Sequence, residues 1–437
     1  MKHAFRKSRA WARIKIAVAA GLVIAGNGAV AVAQAASGKL AASEPTLDPP
    51  FIISLWCGPD RKHTTVEAYK TVADCGFNLV LPPGDGWAVD LKTSRQILDI
   101  CQQVGLKALV ADSRLVNNEG RHRIKPAAPD FAKTLDAVVA DYSGHPALAG
   151  YYVEDEPSAK DFPDLAGIFR RLREKDPKHF AYVNLFPSYA GNDRLGSRNF
   201  EDHVATFVEK VRPAIVSWDH YQQMSNNKGP DYFSDMEDVR KVCVKSGTPY
   251  FQIILLTPHG GYRDPSEADL RWQAYTTLCY GAHGIMYFTY WPVIGPGIVG
   301  PDGKPGPKYD IVKRINMRLK AMAPTLVKLK SAGVYHSEPL PKGTQKLADA
   351  VPVRKMEGGA MVLGWLKDEA GADYLFLVNR SFKDKIKAQL ALDAAVKTVE
   401  EISQETGKPQ AAAYAADTRV LTTDLEAGEG RLFRLAK

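Results

Sequence analysis

The feature that most narrows the folds open to this chain is a rhythm. From Phe51 onward, short uninterrupted apolar runs alternate with longer amphipathic stretches, and the pair recurs eight times. The runs are Phe51–Trp56, Phe77–Leu81, Leu106–Ala111, Leu148–Val153, Phe180–Leu185, Ala214–Trp218, Tyr250–Leu256 and Gly284–Tyr290. The stretches that follow them are Thr65–Cys75, Lys92–Val104, Phe131–Tyr142, Phe162–Lys175, Phe200–Val211, Ser234–Ser246, Glu267–Tyr280 and Tyr309–Leu329. A strand with one wet face alternates polar and apolar residues; a run that is apolar throughout suits a parallel strand covered on both faces. Glycines such as Gly76, Gly105 and Gly247 stand just before runs, where the end of a helix often needs a left-handed residue.

Eight such units predict a closed (β/α)₈ barrel over residues 51–330. A doubly wound open sheet is the alternative, but it usually carries a Gly-rich phosphate loop after its first strand, and Trp56-Cys57-Gly58-Pro59 is not one. Beyond residue 330 the pattern changes to short runs separated by hairpin-like turns: Met361–Trp365, Tyr374–Val378, Ile386–Leu392, Val396–Ile402, Val420–Leu425 and Arg431–Leu435. These predict a small antiparallel β-sandwich over 331–437. The Pro/Gly-rich stretch Ile294–Pro307 falls inside the eighth unit and predicts a loop over the barrel mouth.

The net charge of +8 has a local origin. Six of the excess cations (Lys2, Arg6, Lys7, Arg9, Arg13 and Lys15) lie in the first fifteen residues, with no acid among them. The remainder is close to neutral, so the charge is not the footprint of a nucleic-acid partner. The cations precede an apolar run, Ile16–Ile24, and small residues around Ala33 and Ala35. This is the layout of a secretory signal peptide over 1–35, and it predicts export to the periplasm or the extracellular space. Gly26, Asn27 and Gly28 interrupt the run, which is short for a membrane span of about 20 residues. Residues 36–50 are polar and Pro-rich and read as a linker. The five cysteines are scattered, without zinc spacing, and read as packing residues at least as readily as one or two disulfides. The oligomeric state is left open.

In a barrel of this kind, the working face is the C-terminal end of the strands. The eight strand ends carry Trp56; Asp85 and Trp87; Asp112 and Arg114; Glu154, Asp155 and Glu156; Asn184; Trp218, Asp219, His220 and Tyr221; Thr257 and His259; and Tyr290 and Trp291. They offer no metal set, no nucleophile elbow and no phosphate cradle, so no cofactor is expected. Carboxylates beside flat aromatic rings suit carbohydrate: the rings pack on C–H faces, while the acids bind hydroxyls and move protons. Cleavage of a glycosidic bond needs one protonated and one ionised carboxyl group. Glu156, Asp219 and Glu154 are the candidate catalytic groups. Asp155, Trp56, Asp85, Trp87, Asn184, Tyr221, His259 and Trp291 are the candidate substrate contacts. Regular alternation along the fourth strand would put Tyr152, Glu154 and Glu156 on one face and Tyr151, Val153 and Asp155 on the other. Glu154 would then lie one layer below Glu156 and raise its pKa by like-charge repulsion.

Asp155-Glu156-Pro157 resembles the Asn-Glu-Pro that ends strand four in the clan of retaining (β/α)₈ glycoside hydrolases, which includes β-galactosidases of the family-42 type. Gly281–Phe288 resembles the approach to strand eight in that clan. Tyr374–Asn379 and Gly428–Arg434 resemble the β-sandwich that follows many glycosidase barrels. The resemblance implies glycoside hydrolysis with Glu156 as general acid/base and Asp155 at the position that contacts the sugar 2-hydroxyl. The chain departs from the clan at strand seven, where the clan has a nucleophilic Glu and this sequence runs Leu256-Thr257-Pro258-His259. Asp219 is the best-placed substitute. A degenerate barrel that binds carbohydrate without cleaving it is the alternative from another class, and a lyase using His220 or Tyr221 as base is a third.

Overall fold

The computed structural model describes residues 47–225 and 232–437. The expected signal peptide and most of the expected linker lie outside the described residues. The linker's last residues are packed: Leu47 is buried in the main core, and Asp48 pairs with Lys107 at 2.6 Å.

Eight parallel strands close into a barrel in chain order, with β1 paired to β8. They are β1 (Ile52–Leu55), β2 (Leu79–Val80), β3 (Lys107–Val110), β4 (Leu148–Asp155), β5 (Phe180–Leu185), β6 (Val216–Asp219), β7 (Tyr250–Leu255) and β8 (Gly284–Phe288). Almost every residue in them is buried, as strands covered on both faces require. The helices are α1 (Val66–Asp74), α2 (Leu91–Val104), α3 (Phe131–Tyr142), α4 (Phe162–Lys175), the short α5 (Asn192–Leu195), α6 (Phe200–Val211), α7 (Tyr232–Ser246), α8 (Glu267–Cys279) and α9 (Tyr309–Leu326). Their ends follow local chemistry. Asp90 caps α2 by accepting from the Thr93 amide, and Gly105 closes it in the left-handed region at φ +74°. Ser266 and Asp269 form a reciprocal capping box at the start of α8. All five cysteines are buried and unbridged. No helix of the described residues is long and apolar enough to cross a membrane.

The second part of the chain forms two antiparallel sheets. The six-stranded sheet contains β9 (Lys330–His336), β11 (Met361–Lys367), β12 (Asp373–Asn379), β14 (Thr398–Ile402), β15 (Pro409–Ala411) and β18 (Gly430–Ala436). The four-stranded sheet contains β10 (Val353–Glu357), β13 (Ile386–Leu392), β16 (Tyr414–Ala415) and β17 (Val420–Leu425). Leu363, Leu375, Leu377, Leu390, Leu421 and Phe433 fill the space between the sheets. The strands β9, β10, β15 and β16 had no counterpart among the predicted runs. β9 and β10 are polar at several positions and β15 and β16 are only two or three residues long, so hydrophobicity alone does not mark them.

Helix α8 joins the two parts. Ten of its thirteen residues are buried, because it is covered by the barrel on one side and by the six-stranded sheet on the other. Trp272 packs against Tyr232 at 4.8 Å and Phe382 at 4.7 Å, and the Cys279 thiol donates to the Phe376 carbonyl at 3.2 Å. The same covering explains why every residue of β12 is buried, whereas β13 alternates.

Candidate active site

Strand β4 carries the acids, and it is not regular. Tyr152 pairs with Tyr182 of β5, but Glu154, not Val153, pairs with the next residue, Val183. One extra residue has been inserted, which is a β-bulge, and it reverses the alternation beyond it. Asp155 therefore shares the barrel-facing side with Tyr152, and Glu154 points away toward the loop between β3 and α3. The expectation that Tyr152, Glu154 and Glu156 line one face with Asp155 opposite is thus corrected: it assumed an unbroken period of two.

What Glu154 does follows from this turn. Its carboxylate is buried, 2.5 Å from His122 Nδ1 and 3.3 Å from Arg121 Nη1. His122 Nε2 in turn lies 3.0 Å from Lys125, which pairs with Asp164 at 2.8 Å. Glu154 thus anchors an ion-pair network that fixes Arg121 and does not sit beneath Glu156. The loop reaches the end of β4 through Gly120, at φ +73°. Its carbonyl accepts from the Asp155 amide at 2.9 Å, and a Cβ there would stand 3.0 Å from the Tyr152 hydroxyl.

Asp155, Asn184 and Asp219 meet inside the mouth. Asn184 is buried on β5, and its Nδ2 donates to Asp155 Oδ1 at 3.3 Å and to Asp219 Oδ1 at 3.1 Å. Those two oxygens are therefore no farther apart than the sum of the two bonds. The Asn184 amide orientation is held by Ser217, whose hydroxyl donates to Asn184 Oδ1 at 3.0 Å. Glu156 lies beside this pair with its backbone in the left-handed region at φ +46°, a conformation that costs a non-glycine residue on the order of 1–2 kcal/mol. Two bonds hold it there: its amide donates to the Asn184 carbonyl and its carbonyl accepts from Arg121, both at 2.8 Å. Its carboxylate is 3.7 Å from Arg194.

The three carboxyl groups act on one another. Burial, then the charge of Glu156, pushes Asp155 from its ordinary value up to about 7. Burial, then Glu156 and Asp155, pushes Asp219 well upward. Burial also raises Glu156, but Arg194 and Arg121 oppose the rise. Burial thus biases all three toward the protonated form, and their mutual repulsion adds to it for Asp155 and Asp219.

The other expected contacts separate into rings that plug the mouth, rings that line it and residues that lie elsewhere. Trp87 stacks on Tyr152 at 4.6 Å, and Trp56 packs edge-on to Trp87 at 4.8 Å. With Tyr182 and Phe251 they form an aromatic column filling the barrel beneath the acids. Tyr221 and His259 stand on the β6–β7 side with Tyr262 and Phe288. The His259 Nδ1 donates to the Thr257 carbonyl at 2.9 Å. Trp291 is buried against His63 at 4.8 Å. Asp85 is exposed and paired with Arg61 at 3.2 Å. Trp218 points out of the barrel and is fully buried against Tyr250, so it offers no ring to the mouth. His220 is also fully buried, with its Nδ1 2.8 Å from Asp235. Strand β7 ends in Leu255, and Glu267 opens α8, where it pairs with Arg271 and Arg314.

Four residues at the mouth had no sequence signal: Arg121, Arg194, Tyr189 and Tyr262. The Tyr189 hydroxyl accepts from the Tyr221 amide at 3.2 Å, and the charge of Asp219 reaches both Tyr189 and Tyr262. Arg194 sits on the one-turn helix α5 and the other three on loops or short turns, where no periodicity points to a cleft.

A parallel eight-stranded barrel gathers the residues at the C-terminal ends of its strands, here carboxyl groups and rings, at one mouth. No protein-family model matches the chain, and no curated protein matches its sequence. Solved structures match its fold. One described as a glycoside hydrolase aligns at a TM-score of 0.51 and 11% identity, covering 91% of this chain and 97% of that one. A gamma-CGTase from alkalophilic Bacillus clarkii aligns at 0.51 and 11%, covering 87% of this chain and 65% of that one. A β-galactosidase from the psychrophilic Marinomonas ef1 aligns at 0.46 and 13% over 61% of this chain, which spans 60% of that enzyme's length. At these identities the likeness is one of fold.

Proposed function

We propose that this protein is an exported glycoside hydrolase whose acid–base groups are Asp155, Glu156 and Asp219. The observation that carries the reading is the meeting of Asp155 and Asp219, from the ends of β4 and β6, at the Asn184 amide, with the Glu156 carboxylate close enough to act on both. Glycosidic cleavage needs a carboxylic acid that keeps its proton and a carboxylate that has lost it. Asp219 is buried beside two other acids and is the group that keeps its proton, so it protonates the leaving oxygen. Glu156 stands between Arg194 and Arg121 and carries the negative charge as nucleophile or water-activating base. The resemblance to the Asn-Glu-Pro clan would make Glu156 the proton donor; its arginine neighbours favour the opposite division. Asp155, pushed up to about 7 by burial and by Glu156, is a third carboxyl group beside the pair. Tyr221, Tyr262, His259 and Phe288 supply the apolar wall for sugar rings.

The test is the dependence of rate on leaving group. Glu156→Gln is expected to lose at least 10²-fold in kcat on every aryl glycoside. Asp219→Asn is expected to lose roughly 10²–10⁴-fold on poor leaving groups and much less on a dinitrophenolate, which needs no proton. Unchanged turnover by Glu156→Gln would remove the assignment. Carbohydrate binding by the wild type without any turnover would instead support the reading as a non-catalytic binding protein, which the acid-free end of β7 favours.

A further inference from the structure

A cleft of about 520 Å³ opens beside the acids, and Glu156 forms part of its wall. Two guanidinium groups line the same cleft. Arg121 is fixed by a single nitrogen: Nη1 donates to Glu154 and to the Glu156 carbonyl, while Nε and Nη2 have no protein acceptor among the described residues. Arg194 lies over the Phe186 ring at 4.6 Å, which orients its plane without using its donors. Its one ion pair among the described residues is the long contact to Glu156. Both side chains remain well exposed, at 40% and 63%.

Placing two guanidiniums next to a carboxylate that must react is unfavourable for catalysis if the substrate is neutral, since they lower the basicity of Glu156. It is useful if the substrate brings an anion that would otherwise be repelled by three acids. A planar fork with unused parallel N–H groups matches a carboxylate in two-point contact. From these observations we infer that the cleft takes a uronic acid residue, its C6 carboxylate held by Arg121 and Arg194 while its anomeric bond lies at Glu156. Glu154, His122 and Lys125 line the same cleft and are then positioning residues: Glu154 pairs with Arg121, and His122 and Lys125 fix Glu154. The inference rests on the carbohydrate reading above and specifies its substrate class.

The experiment is a titration of the full-length wild-type protein with free glucuronate and galacturonate, and with glucose and galactose, by calorimetry or ligand-observed NMR. Monosaccharides have no bond to cleave, so binding is read without turnover. A protein that binds uronate but cleaves no glycoside would keep this inference and remove the hydrolase reading. The uronates are expected to bind at least about tenfold more tightly than the matched neutral sugars, as one or two charge-assisted contacts would give. Arg194→Gln, an exposed position with little structural burden, is expected to lose most of that preference. Arg121→Gln is expected to lose it too, with circular dichroism reporting whether the loop stays folded. Equal binding of neutral sugars, or an undiminished preference in Arg194→Gln, would overturn the inference. Tighter binding of a sulfated hexose than of either uronate would overturn the carboxylate assignment.

Discussion

Asp155 is the residue whose chemistry departs furthest from what its neighbours in sequence would suggest. Its folded pKa is raised to about 7 from an ordinary 3.8, by burial first and by Glu156 second. The stability associated with its proton is therefore fully present below the unfolded pKa and is lost as the pH rises through about 7. Asp155→Asn should remove that loss. The variant is expected to be more stable than the wild type at pH 8, by about 1–3 kcal/mol once the part of the side chain reached by water is discounted, with the advantage shrinking toward pH 4. Urea titrations across that range would show it; a pH-independent difference would mean that the carboxyl is not desolvated as described. Glu154 is the contrasting case. It is ion-paired and hydrogen-bonded to His122 and Arg121, so Glu154→Gln is expected to cost about 3–5 kcal/mol of stability, the scale for breaking a buried pair. Its catalytic loss should be expressed in KM more than in kcat, because it acts through Arg121. A kcat loss equal to that of Glu156→Gln would return Glu154 to the reacting groups.

At the scale of elements, the barrel strands and helices were readable because each is long, periodic and locally consistent. Phe131–Tyr142, Phe162–Lys175 and Phe200–Val211 match their predicted bounds residue for residue. The bulge in β4 was not readable, because it is a property of pairing with β5 and leaves no mark on β4's own sequence. Its consequence was the misassigned face of Glu154. The loop that delivers Arg121 was equally silent: Arg121 meets Glu154 across 33 residues of chain through a turn that depends on Gly120. Gly120→Val should strain that turn, costing on the order of 1–3 kcal/mol and displacing Arg121 from the cleft. Thermal melts and the uronate titration on this variant would move together if the loop and the cleft are one device. A stability loss with unchanged uronate preference would separate them.

At the scale of the whole molecule, the barrel and the β-sheet unit share α8, and their cores meet at Trp272 and Cys279. Gly364 of β11 lies so close to α8 that a Cβ would stand 2.0 Å from the Cys279 carbonyl oxygen. The two parts are therefore expected to unfold together, and Trp272→Ala should lower stability by about 3–5 kcal/mol. Two well-separated transitions in the wild type would show that the interface does not couple them. The coupling leaves the mouth of the barrel, on which the functional account depends, as a rigid frame for three carboxyl groups. The most direct measurement of what they do is the fate of water oxygen when the protein is incubated with a uronate-containing glycan in H₂¹⁸O. Hydrolysis predicts products carrying one ¹⁸O at the newly formed anomeric carbon, detected by mass spectrometry and abolished in Glu156→Gln. Absence of any cleaved product, or unsaturated products without label, would contradict the account.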